Sequence, residues 1–198
     1  MRRGAWPVPG LAVALLCAVV AAPGAASDKY DKGTTIDGSR RPAPGTALIY
    51  FVRPQFLGAA IKTKLFADGE LMAILGAGTW AVWEGPPGKH EFATESENAG
   101  LLDAELAPDK IYFVQVAIHM GAMKARTHFE VVRPGSEAAD EVGKKYHEAR
   151  QALLTDEGRA WVAENRAKID QTIAKYRQKG EEIELLEPED GAAEPPWK

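Results

Sequence analysis

Cysteine is nearly missing from this sequence: there is one, Cys17, and it lies inside an apolar run near the N-terminus. With a single thiol the chain cannot build a disulfide framework, so its stability must come from its core. Basic blocks are equally scarce, none longer than Arg40-Arg41 or Lys144-Lys145, and 24 Lys and Arg face 28 Asp and Glu for a formal charge of −4. No electrostatic footprint for nucleic acid results, and nucleic-acid binding is disfavoured. Glycine, at 19 residues of 198, is far too rare for collagen, and a hydrophobic share of 45% is too high for a disordered polymer. Long hydrophobic runs are lacking as well, because the run at residues 11–22 falls short of the ~20 apolar residues that cross a bilayer. What is present is enough for one compact domain with an appendage, large enough to bury a core without cross-links.

The N-terminus carries Arg2-Arg3, then the apolar run at residues 11–22, then Pro23-Gly24-Ala25-Ala26. These are the three parts of a secretory signal peptide in order, and cleavage after Ala26 leaves small residues, Gly24 and Ala26, at the third and first positions before the cut. A retained membrane anchor is the alternative, and the Pro-Gly break ends the run too early for it. Leu16 stands before Cys17 where a lipoprotein signal wants a small side chain, which argues against lipid anchoring. Residues 1–26 are therefore expected to be a signal peptide and the mature chain to be exported, periplasmic or envelope-associated, with no stable transmembrane segment. Loss of Arg2 and Arg3 makes that chain more acidic still, which disfavours attachment to anionic lipid by charge alone.

Residues 27–45 are rich in Gly, Pro, Asp, Lys and Arg without apolar period and predict a flexible linker. Over residues 46–133 short apolar runs alternate with turn signals such as Asp68-Gly69, Gly76-Ala77-Gly78 and Ala107-Pro108-Asp109-Lys110. The spacing predicts a mainly β fold, an antiparallel β-sandwich of about seven to eight strands. Asp68-Gly69 is the strongest hairpin signal, since a tight primed turn needs positive φ. Residues 47–52 and 111–114 do not alternate, so both faces of those strands need cover. After Pro134 the composition turns to Glu, Lys, Ala, Arg and Gln, and residues 135–180 predict two C-terminal α-helices. Val142, Tyr146, Ala149 and Leu153 form one helical stripe. Thr155 is the N-cap of a second helix carrying Val162, Ile169, Ile173 and Tyr176, and Gly180 ends it. Residues 181–198 predict an acidic disordered tail.

Several of these signals occur together as Ala-Leu-Ile-Tyr-Phe-Val-Arg-Pro (47–54), Leu65-Phe66-Ala67-Asp68-Gly69-Glu70, Gly78-Thr79-Trp80, Pro87-Gly88-Lys89-His90 and Asp109-Lys110-Ile111-Tyr112-Phe113. In that order they resemble the bacterial exported family described as domain of unknown function 2846, over about residues 46–133. Asp109 stands where such chains often have Gly. The resemblance implies an exported β-sandwich of the bacterial envelope and carries no catalytic residue with it.

Nucleophiles are few. Ser27, Ser39, Ser96 and Ser136 lie in turns or the linker, and none sits in Gly-x-Ser-x-Gly or Ser-x-x-Lys. Among carboxylates, Glu84, Glu95, Glu97, Asp103 and Glu105 are the candidates for paired acid–base work. Asp103 and Glu105 lie two apart, which a solvated strand face explains as well. A third possibility is metal: His119, Met120, Met123 and His128 bracket the tip of a predicted hairpin, and thioether with imidazole is a donor set that suits copper. Met side chains filling a loop, with both His in solvent, account for the same residues, and zinc is disfavoured because no third strong ligand lies nearby. Finally, Trp80 and Trp83 project to opposite faces of one strand, and Trp83 with Tyr112 are the aromatics expected at a ligand-binding surface, if not packed in the core. The sequence thus points to a non-enzymatic exported module with a structural or binding role at the cell envelope. Its partner is expected to be an envelope protein or a glycan, and no cofactor is expected. Periplasmic copper handling is the alternative, and an envelope hydrolase the weaker one.

Overall fold

The computed structural model describes residues 29–36, 38–54, 58–120, 125–180 and 183–196. The expected signal peptide, residues 1–26, lies outside the described residues, as does Met123. Among the described residues eleven strands form: β1 (Tyr30–Thr35), β2 (Ala47–Arg53), β3 (Thr63–Ala67), β4 (Glu70–Leu75), β5 (Thr79–Gly85), β6 (Gly88–Glu95), β7 (Ala99–Leu106), β8 (Lys110–Met120), β9 (Ala125–Val131), β10 (Arg150–Leu154) and β11 (Ile183–Leu186). Two α-helices, α1 (Glu137–Lys145) and α2 (Asp156–Lys179), flank β10. The fold is mainly β, with two sheets. The first has the order β1-β10-β5-β2-β8-β9 and the second β11-β7-β6-β3-β4.

Alternation along β2 shows how the sheets are placed. Ile49 and Phe51 belong to a core cluster that includes Tyr112 and Val114 of β8, Phe92 and Leu102 of the second sheet, and Val162 and Ile169 of α2. Phe51 and Phe92 meet across the two sheets with ring centroids 5.1 Å apart. Leu48, Tyr50 and Val52 point the other way, into a second cluster with Ile111, Phe113 and the α1 residues Ala138, Ala139 and Val142. The non-alternating strands are therefore apolar on both faces because each face is covered, one by the other sheet and one by α1. Asp68 and Gly69 both take positive φ, 49° and 83°, and close β3 onto β4 as the primed turn requires.

Four sequence expectations are corrected. Three of the eleven strands lie outside residues 46–133, so seven to eight is an undercount, and the sheets are not purely antiparallel, since β2 pairs parallel with β8. The expected linker contains β1, which pairs antiparallel with β10. The expected first helix stops early: Ala149 and Leu153 leave the stripe, and Leu153 lies in β10, which also runs parallel to β5. The expected disordered tail contains β11, parallel to β7, and Ala192 then bridges to Ile111. Short segments of weak local propensity become strands here because neighbouring strands offer them paired backbone groups. The second helix is as read: Thr155 accepts from the Gly158 N–H at 3.1 Å, and Gly180 closes it with φ 63°. Among the described residues no helix is long and apolar enough to cross a membrane.

Candidate functional site

β8 and β9 form an antiparallel ribbon at the edge of the first sheet. Tyr112, Val114 and Val116 of β8 and Phe129 and Val131 of β9 enter the core, so Gln115, His119, His128 and Glu130 share the opposite face. The register sets Ala117 opposite His128 and Arg126 opposite His119, which makes the two histidines diagonal neighbours. Their ring centroids are 4.2 Å apart. His128 Nε2 lies 2.7 Å from Glu130 Oε1, and His119 Nε2 lies 3.7 Å from the same oxygen. The hydrogen bond from His128 holds the Glu130 carboxyl below the usual range, while partial burial opposes it.

The backbone beneath this group is fixed from the second sheet. Asn98 donates from Nδ2 to the Thr127 carbonyl at 2.9 Å and accepts from the Thr127 N–H at 2.7 Å, so one buried amide pairs both main-chain groups of the residue before His128. A Cβ at Gly100 would stand 2.7 Å from His128 Cα, and only glycine allows β7 this close to β9. On the other side, Gln115 donates to Glu141 of α1 at 2.8 Å. A cleft of about 390 Å³ opens beside His119, lined also by Glu130, Glu137, Glu141 and Glu184.

Of the four residues expected to bind metal, the structure brings His119 and His128 together. Met120 ends β8, and its side chain, like all of Met123, lies outside the described residues. Sequence reasoning missed Glu130, which corrects the expectation that no third strong ligand lies nearby: its oxygen and the two ring nitrogens all fall within 4.8 Å of one another. The signal was the two-residue step from His128 to Glu130 on a strand, which puts both on one face.

No family model, curated protein or solved structure matches the chain.

Tyr112 is corrected outright as a surface aromatic. It has no exposed area, and its hydroxyl accepts from the Ala107 N–H at 2.8 Å. Trp83 is half-buried. Its ring lies against Gly85, 4.7 Å from His90 and 5.4 Å from Phe92 between centroids, and packs on the main core. His90 is held in turn by Asp68 at 2.8 Å and by the Pro86 carbonyl at 3.0 Å, so the Asp68-Gly69 turn, the turn at Pro86 and Trp83 meet in one place. Trp80 faces the other way, into the α1 cluster. Four of the catalytic candidates have structural partners: Ser136 caps α1, Glu95 pairs with Lys64 in a buried ion pair, Asp103 meets Arg177 at 2.9 Å, and Glu84 accepts from the Ala43 N–H at 2.7 Å.

Proposed function

We propose that the chain is an exported, non-enzymatic β-sandwich module with a structural or binding role at the bacterial cell envelope. The observation that carries this reading is the cover on the sheets: α1 lies on the outer face of the first and α2 on the second, through Val162 and Ile169. The centre of each sheet face is thus occupied by the chain itself, and binding falls to edge strands and loop ends, as on other rigid scaffolds that present their loops. The engagement of Glu95, Asp103 and Ser136 in ion pairs and a helix cap supports a role other than catalysis. Export rests on the three-part N-terminus, and the motif resemblance over residues 46–133 agrees with it. The partner is an envelope protein or a glycan.

The test is fractionation of a bacterial host expressing the full chain, with mass spectrometry of the recovered protein and cross-linked pull-down from its envelope extract. The reading expects an N-terminus at Ser27 in the extracytoplasmic fraction and a saturable envelope partner. A mature protein that still begins at Met1 in the cytoplasm, or turnover of acyl or glycosidic substrates by the purified chain, overturns it.

A further inference from the structure

We propose that His119, His128 and Glu130 form a binding site for one divalent transition-metal ion of the Cu²⁺ and Zn²⁺ class. The proposal stands apart from the envelope reading and does not require it. Three donor atoms lie within 4.8 Å of one another. A tetrahedral ion with bonds of ~2.0–2.2 Å places its ligands ~3.4 Å apart, so closing the set takes shifts of about 1.5 Å or less.

The site has a rigid half and an adjustable half. His128 and Glu130 sit on β9, whose backbone is held at Thr127 by Asn98 and crowded by Gly100. His119 carries the adjustment: its side chain is 64% exposed and can rotate toward the other two without disturbing the core. Rotation of one exposed imidazole is the least costly way to complete a three-donor set on a fixed strand.

Donor chemistry narrows the ion. Ca²⁺ and Mg²⁺ require six or more oxygens. Two imidazole nitrogens and one carboxylate oxygen suit Zn²⁺, Ni²⁺ and Cu²⁺ instead, and in this order of intrinsic affinity Cu²⁺ stands highest. Glu130 in place of a thioether moves the preference from Cu⁺ to the divalent ions. Glu137 and Glu141, which line the adjoining cleft with Glu130, supply a negative field that concentrates cations at its mouth, whereas Glu184 in the same cleft is paired with Arg133.

The experiment titrates the purified full chain with CuSO₄ and with ZnCl₂ by calorimetry, and records the Cu²⁺ paramagnetic resonance spectrum for nitrogen couplings. Wild type is expected to take one equivalent at micromolar concentration or tighter, with two imidazole nitrogens on Cu²⁺. His119→Ala, at an exposed position, should fold normally, weaken binding at least tenfold and leave one nitrogen coupling. Glu130→Gln should weaken binding by a similar factor with both nitrogens retained, and His147→Ala, at an exposed histidine elsewhere, should change nothing. The proposal is overturned by the absence of stoichiometric binding, by an unchanged affinity in His119→Ala, or by an equal loss in His147→Ala, which marks adventitious binding to any surface imidazole.

Discussion

Arg53 is the residue on which the closed end of β2 depends. It is fully buried, and its guanidinium donates to the carbonyls of Ile61 at 2.6 Å, Gly58 at 2.9 Å and Leu75 at 3.1 Å. Burial lowers its pKa from the ordinary value, yet a guanidinium keeps its charge in such a setting. Two of its branches point in fixed directions at three carbonyls, a task for which the single ammonium of Lys has the wrong shape. Arg53→Lys should therefore cost about 2–4 kcal/mol through unpaired buried carbonyls. Urea denaturation reads it as a lower midpoint at unchanged slope, and a midpoint equal to wild type refutes it. Glu84 acts at the opposite end. The Ala43 N–H, then the Arg40 guanidinium, hold its pKa below the ordinary value. A depressed carboxyl contributes stability that is present above the unfolded value near pH ~4.3 and lost as pH falls through the folded one. Glu84→Gln should flatten the acid limb of the melting curve below that pH, with a loss of at most about 2–4 °C at neutral pH, because the ion pair is largely exposed. An acid limb as steep as that of wild type is the contrary result.

Among the elements, α2 shows where sequence reading succeeds. Thr155, the acids Asp156 and Glu157 in the first turn, and Gly180 after the last are local signals with local causes, and the helix starts and stops at them. Thr155→Ala should cost about 1 kcal/mol, or about 2–4 °C in Tm. A calorimetric midpoint equal to wild type discounts the cap. β10 shows where reading fails. Its apolar residues continue the helical spacing of Val142 and Tyr146, and only the slot between β1 and β5 makes it a strand. β11 lies among acids and gains its strand conformation from the parallel register with β7. In both cases the deciding contact comes from far along the chain, and a local pattern carries no record of it. The candidate site divides in the same way. The step from His128 to Glu130 was legible on one strand, whereas the diagonal to His119 depended on the register of the hairpin. Cover on both faces of residues 111–114 was legible and fits the burial of Tyr112, whereas the half-buried position of Trp83 against His90 and Phe92 depended on the facing sheet.

At the scale of the whole molecule, the C-terminal third completes the structure and is no appendage to it. Removing everything after Pro134 takes away β10 from within the first sheet and uncovers Leu48, Tyr50, Val52, Ile111 and Phe113. Exposing five such side chains at ~1.5–3 kcal/mol each forfeits on the order of 10 kcal/mol, comparable with the whole stability of a domain. A chain ending at Pro134 should show no cooperative melt and should bind a hydrophobic dye. A cooperative transition near that of the full chain contradicts this. The pairing of Tyr30 with Leu154 also fixes a sequence of events in time. Translation delivers the first strand early and its partner late, and one end of the first sheet stays open until both exist. Loops this long close slowly, and folds governed by distant pairings form in milliseconds to seconds, not microseconds. Until Leu154 emerges, the first sheet lacks the strand that joins β1 to β5, and the nascent chain stays short of its final fold.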